Sequence, residues 1–177
     1  MRNRWRTATI ALVAVLLTLG VQQAFALRGK GTSSKTGKNV TQVKVVRSDN
    51  YSSIDGSSKG YVTISGAVVD ITVPSGEQAL ILGQFSAESA CNSGGKGAWC
   101  GARMTVDGQE MQPGDDFAFD SSDSGTESST SWEGHAFQGS SNILGPGTYT
   151  VRVQYYVSGG PTFAIDDFHF TVMRIKA

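Results

Sequence analysis

From Val40 onward the chain alternates apolar and polar residues with a period of two rather than 3.6, the pattern of strands with one buried face. Val43 and Val45 alternate with polar neighbours, and Tyr61-Val62-Thr63-Ile64 and Val69-Asp70-Ile71-Thr72-Val73 repeat the pattern. Ala79-Leu80-Ile81-Leu82 is apolar on both sides, which predicts an interior strand. Cys100, Ala102, Met104 and Val106 share one parity and Gly101, Arg103 and Thr105 the other, so the first set is assigned to the core. Asp107-Gly108 then supplies the preferred two-residue hairpin turn. Phe117 and Phe119, Trp132 to Phe137, and Tyr149 to Val157 continue the series, with turns at Gly145-Pro146-Gly147 and Ser158-Gly159-Gly160-Pro161.

No amphipathic helix follows residue 26. Eight or nine strands with short turns predict an all-β fold, a two-sheet antiparallel β-sandwich that is jelly-roll-like. An immunoglobulin-like order is the alternative. It lacks the Cys, Trp, Cys order, and Cys91 and Cys100 stand too close in sequence to bridge two sheets. In the last strand Phe163 and Ile165 are odd while Phe168, Phe170 and Val172 are even, so a bulge at Asp166-Asp167 is needed to keep one face buried.

The first 26 residues depart from this pattern. Arg2, Arg4 and Arg6 precede an uncharged apolar run from Thr7 to Val21, and Ala24-Phe25-Ala26 offers a small-x-small cleavage site, which reads as a signal peptide cut after Ala26. An uncleaved anchor is the alternative, and Gln22 and Gln23 in a short run argue against it. Both readings place the remainder outside the cytoplasm. Residues 27 to 39 are expected to be a flexible basic linker, and residues 40 to 177 the β-sandwich domain.

Charge sharpens this division. The whole chain balances 15 Lys and Arg against 15 Asp and Glu; removing three leader arginines leaves a net charge of −3. Arg28, Lys30, Lys35, Lys38, Lys44 and Arg47 give residues 27 to 47 a local +6. That tail acts as a spacer or is drawn to an anionic polymer. The two cysteines, Cys91 and Cys100, are expected to form a disulfide in an oxidising compartment. Closing a loop of roughly ten residues is worth about 2.7 kcal/mol in the chain-entropy model. A metal or redox role is the poorer account, since C-x-x-C spacing is absent and no His lies nearby.

Catalytic motifs fail on context. Gly56-Ser57-Ser58-Lys59-Gly60 matches G-x-S-x-G, but a nucleophile elbow needs a strand before Ser58 and a helix after it. Gly31 to Lys38 misses a phosphate loop in spacing and in its final residue. Residues 104 to 151 hold eight acids and no Lys or Arg. Asp115, Asp116, Asp120 and Asp123 are candidate ligands for structural calcium, against the plainer reading of Asp120 to Ser131 as a solvated acidic loop. No other cofactor is expected. Glu88, Glu133 and Asp167 are candidates for glycoside chemistry only by being acids. His135 and His169 lie too far apart in sequence to signal a metal site.

A different chemistry follows from the outward parity. Trp99 falls with Arg103 and Thr105, and Tyr156 with Arg152 and Gln154. A planar aromatic beside hydrogen-bonding groups suits a ring-shaped polar ligand, so Trp99, Arg103, Arg152, Gln154 and Tyr156 are the candidate binding residues. Packing is the alternative for each aromatic, Trp99 over the disulfide and Tyr156 on a loop.

Residues 79 to 175 also carry a family-like pattern: Phe85 to Cys91, Trp99-Cys100, Val106-Asp107-Gly108, Phe117-Ala118-Phe119-Asp120, Ser131-Trp132-Glu133, Gly145 to Val151 and Ile165 to His169. It resembles a family of uncharacterised secreted bacterial β-sandwich domains. The Pro146-Gly147-Thr148 stretch and the strand after it look like the late strands of jelly-roll binding and fibre-head domains. The resemblance implies fold and compartment and brings no catalytic residues. The expectation is a secreted, non-catalytic module that binds a carbohydrate or cell-surface polymer. Self-assembly as a coat or fibre head is the alternative, and a glycoside-active enzyme the third. No nucleic-acid partner is expected, nor a membrane span once the leader is cut. Asn39 and Asn50 begin glycosylation sequons that would act only in a eukaryotic secretory pathway.

Overall fold

A computed structural model describes residues 33–35, 39–56, 60–92, 97–114, 117–122, 131–158 and 162–177. The leader, the Ser57 to Lys59 part of the G-x-S-x-G match, Asp115, Asp116, Asp123 and most of the acidic loop lie outside the described residues. Eleven strands are formed among those described: β1 (Ser33–Lys35), β2 (Val40–Ser48), β3 (Ser52–Asp55), β4 (Val62–Val73), β5 (Ala79–Asn92), β6 (Ala98–Val106), β7 (Gln109–Glu110), β8 (Ala118–Ser122), β9 (Glu133–Ser140), β10 (Gly147–Ser158) and β11 (Thr162–Lys176).

They form two antiparallel sheets. The six-stranded sheet runs β1-β2-β11-β5-β9, with β3 also on β11; the five-stranded sheet runs β4-β10-β6-β7, with β8 also on β6. The principal strands pair from the outside of the sequence inward: β2 with β11, β4 with β10, β5 with β9, and β6 with β8. That is one long hairpin wrapped into two sheets, the jelly-roll order. Within the segment expected to be a linker, Ser33–Lys35 pairs with Val43–Val45.

The core lies between the sheets. Phe85 at its centre is fully buried and contacts Phe119, Phe137, Phe168 and Phe170. Cys100, Ala102, Met104 and Val106 face inward as their alternation requires. Met104 fits because Gly83 lies opposite, where a Cβ would stand 2.4 Å from its sulfur. Buried Tyr155 shares a 2.8 Å hydrogen bond with Ser52, and burial holds its phenol above the ordinary range.

Four local expectations are met. Ala79 to Leu82 lies in β5, which has a neighbour on each side. Asp107 and Gly108 both take positive φ, 47° and 82°, as a two-residue primed turn demands. The register of β11 against β5 shifts between Asp166 and His169, and Asp167 sits at φ 45°, its amide donating to the Asp166 carboxylate at 2.9 Å. The Cys91–Cys100 disulfide is formed.

Two expectations are corrected. The predicted strands at 61–64 and 69–73 are one strand: Gly66 at φ 83° lies where the pairing with β10 shifts, and the buried face passes from Ile64 to Ala67. The two cysteines do bridge the sheets, since Cys91 is on β5 and Cys100 on β6. The two Cα atoms stand 5.9 Å apart across the gap between the sheets.

Both open sides of the sandwich are closed. Gln112 and Ser140 exchange backbone hydrogen bonds of 2.7 and 2.8 Å, joining the segment after β7 to β9. On the other side Lys44 and Arg174 reach across and donate to the Asp70 and Thr72 carbonyls of edge strand β4.

Candidate functional site

The outward face of the five-stranded sheet gathers the sequence-predicted binding residues. In the β6–β10 register Arg103 stands opposite Gln154, and Gly101 opposite Tyr156. Alternation with the buried Val153, Tyr155 and Val157 turns Gln154 and Tyr156 outward. Arg103 Nε donates to Gln154 Oε1 at 2.9 Å, a direct cross-strand pair.

Trp99 lies over Gly101. A Cβ at Gly101 would meet the indole at 2.6 Å, so the missing side chain is what lets the ring settle against the sheet. From there the indole meets Tyr156 edge-on at 5.9 Å. Tyr156 meets Tyr61 at 5.3 Å, and the Arg103 guanidinium stands 3.9 Å from the centre of the Tyr61 ring, within cation–π range. Arg103 also approaches Glu110 on β7 at 3.6 Å. The result is a continuous track of three aromatic rings and one oriented guanidinium. Its chemistry is apolar ring faces flanked by hydrogen-bonding groups, which accommodates stacked, polar, ring-shaped molecules.

Arg152 lies farther along β10, opposite Thr105, in line with the track but beyond its ring contacts. Thr105, expected outward, is buried at 2% exposure. Tyr61 and Glu110 were missed by sequence reasoning. Tyr61 shares the outward parity of Thr63, opposite buried Ile64, but the shift at Gly66 hides its neighbours.

The other candidates are dispersed. Asp120 is buried and accepts a 2.7 Å hydrogen bond from Ser89 Oγ, so this carboxylate faces the interior. Ser89 Oγ also lies 3.0 Å from His135 Nδ1, and His135 Nε2 3.6 Å from Glu133. The composition is that of a hydrolytic triad but the order is not. The serine sits between acid and imidazole and is fully buried, with no exposed surface for an external carbonyl to reach. Glu88 is exposed on β5 and Asp167 is exposed at the β11 bulge. Among the described residues no group of three or more His, Cys, Asp or Glu could hold a metal ion. His169 stands opposite Arg47, and burial followed by that guanidinium holds its pKa below the ordinary value.

Fold and face together define an all-β, disulfide-linked jelly-roll sandwich with an aromatic track on one sheet. No family model and no curated protein matches the sequence. Among solved structures the chain is similar to part of dimeric latent PorU from Porphyromonas gingivalis, with TM-score 0.45 and 13% identity over 84% of this chain and 14% of that one. A chain of infectious bursal disease virus Gx strain gives TM-score 0.41 and 10% identity over 84% of this chain and 36% of that one. A family 35 carbohydrate-binding module from Clostridium thermocellum gives TM-score 0.31 and 17% identity over 72% of this chain and 96% of that one. The chain thus spans only a minor part of the first two. The jelly-roll assignment rests on the strand pairing itself. Among the described residues no helix is long and apolar enough to cross a membrane.

Proposed function

We propose that this chain is an exported, non-catalytic binding module whose outward five-stranded face takes a carbohydrate or cell-surface polymer. One observation carries the reading: Trp99, Tyr156 and Tyr61 adjoin along the face, with Arg103 held between Tyr61 and Gln154. Rings in series match successive rings of a polymer, while Arg103 and Gln154 supply direction and hydrogen bonds. Export is read from the leader, and the disulfide accords with an oxidising compartment.

The test is Trp99→Ala and Tyr156→Ala, with melting and polysaccharide pull-down on the same preparations. A core aromatic costs about 3–5 kcal/mol when truncated. Each variant is expected to lose less than that and to lose retention on polysaccharide. Variants that bind like the parent, or that unfold outright, contradict the reading.

A further inference from the structure

A cavity of about 370 Å³ opens beside the Asp107-Gly108 turn, near the end of the aromatic track. Its polar lining comes from Asp107, Gln109, Glu110, Gln112, Asn142 and Tyr149, which places strand β7, the segment after it and the β9–β10 connection around one opening. The volume is at the small end of ligand sites.

Several lining groups are held in place by bonds to the backbone. Asp107 accepts from the Thr150 amide at 2.7 Å, Tyr149 donates its hydroxyl to the Gly145 carbonyl at 2.9 Å, and Gln112 Oε1 accepts from the Gly114 amide at 3.3 Å. The wall is therefore pre-formed, and it is rich in acceptors. The lining carries two carboxylates and three side-chain amides, of which Gln112 Oε1 is already taken by the Gly114 amide, and among the described residues no Lys, Arg or His lines the opening. Glu110 meets a cation, Arg103, on the track side.

The geometry points to a second binding site here, for one small polyhydroxylated ring that is neutral or cationic, a hexose or hexosamine unit, and against anionic sugars. Hydroxyl and ammonium donors match the acceptor-rich wall, and a carboxylate ligand meets like charge. The choice of sugars as the ligand class rests on the sheet-face reading; the donor-rich, non-anionic character rests on the cavity alone. Glu110 belongs to both sites, which places a ring bound in the cavity next to Arg103.

Titration of the full chain at neutral pH with glucosamine, glucose and glucuronate, followed by calorimetry and amide chemical shifts, tests it. Glucosamine is expected to bind tightest, up to about five-fold over glucose, the value of a solvent-exposed ion pair, with glucuronate weakest and shifts centred on residues 107–112 and 142–149. Asp107→Asn removes the charge and keeps both the positive-φ turn and the acceptor for Thr150, so it should erase the glucosamine advantage without lowering Tm. Asn142→Ala should weaken both sugars. In the unsubstituted chain, failure to retain polysaccharide with this ranking of the three sugars intact overturns the sheet-face reading and not the cavity. Absence of saturable binding by all three sugars, glucuronate binding as tightly as glucosamine, or an unaltered ranking in Asp107→Asn overturns the cavity proposal.

Discussion

The two outward faces of the sandwich are made from strands of the same alternation and differ in what they carry. On the five-stranded sheet the outward row of β6 includes a tryptophan laid over a glycine, and the neighbouring strands add Tyr156, Gln154 and Tyr61. On the six-stranded sheet the register sets Arg47, His169, Ser86 and Ala136 in one row and Val45, Thr171, Gln84 and Gln138 in the next. Apart from the Arg47 guanidinium and the His169 imidazole these are short or amide side chains, with no Phe, Tyr or Trp among them. Two exposed aromatics that flank that sheet, Tyr51 and Trp132, precede β3 and β9 and meet edge to face at 6.1 Å. Glycine makes the difference legible. Gly101 holds an indole against it, whereas a Cβ at Gly134, on the edge strand of the other sheet, would meet nothing within 4 Å. A sheet face becomes a track where a missing side chain lets a large ring lie along it.

The largest expected effect comes from the bond behind that track. Cys100 adjoins Trp99 and ties β6 to β5, so replacing Cys91 and Cys100 by Ala should lower stability by up to about 2.7 kcal/mol in denaturant unfolding. Hydrogen exchange should rise first around residues 98–101 and leave the rows through Thr171 protected. Equal loosening of both faces would remove the special link between staple and track.

Gly101 and Gly134 give the next contrast. Gly101→Val drives a side chain into the Trp99 ring and should cost about 1–3 kcal/mol by overpacking together with polysaccharide retention. Gly134→Ala should stay within about 0.5 kcal/mol. Equal melting temperatures for the two variants would mean that Trp99 does not depend on Gly101.

The smallest effect is a pH dependence on the six-stranded side. Burial and then Arg47 hold His169 below its ordinary 6.5, so on acidification the unfolded chain takes the proton first. The stability contribution is complete above about 6.5 and is lost as pH falls through the lowered folded value. His169→Gln should flatten that acid-side slope in urea unfolding and leave polysaccharide retention at neutral pH unchanged. An identical slope in the variant would remove His169 from the account.

Period-two alternation made both the strands and half of the track readable. Parity alone put Trp99 with Arg103 and Tyr156 with Gln154, because β6 and β10 run without interruption through those positions. Parity did not supply register between strands. Tyr61 went unnoticed since the Gly66 bulge breaks the count between it and Val69, and Thr105 was taken as outward although its neighbours bury it. The cysteines misled for a topological reason: nine positions read as a hairpin within one sheet, whereas β5 and β6 lie in different sheets and the disulfide spans the gap between them. Asp120 read as a candidate calcium ligand with Asp115, Asp116 and Asp123, and only folding brings Ser89 against it.

Chemical-shift mapping with a soluble oligosaccharide of the polymer retained in pull-down tests the central claim most directly. The account predicts perturbations concentrated at Trp99, Gly101, Arg103, Gln154, Tyr156 and Tyr61, with the rows through His169 and Thr171 unmoved. Shifts centred on the six-stranded face or on Tyr51 and Trp132, with the β6–β10 track silent, would contradict it.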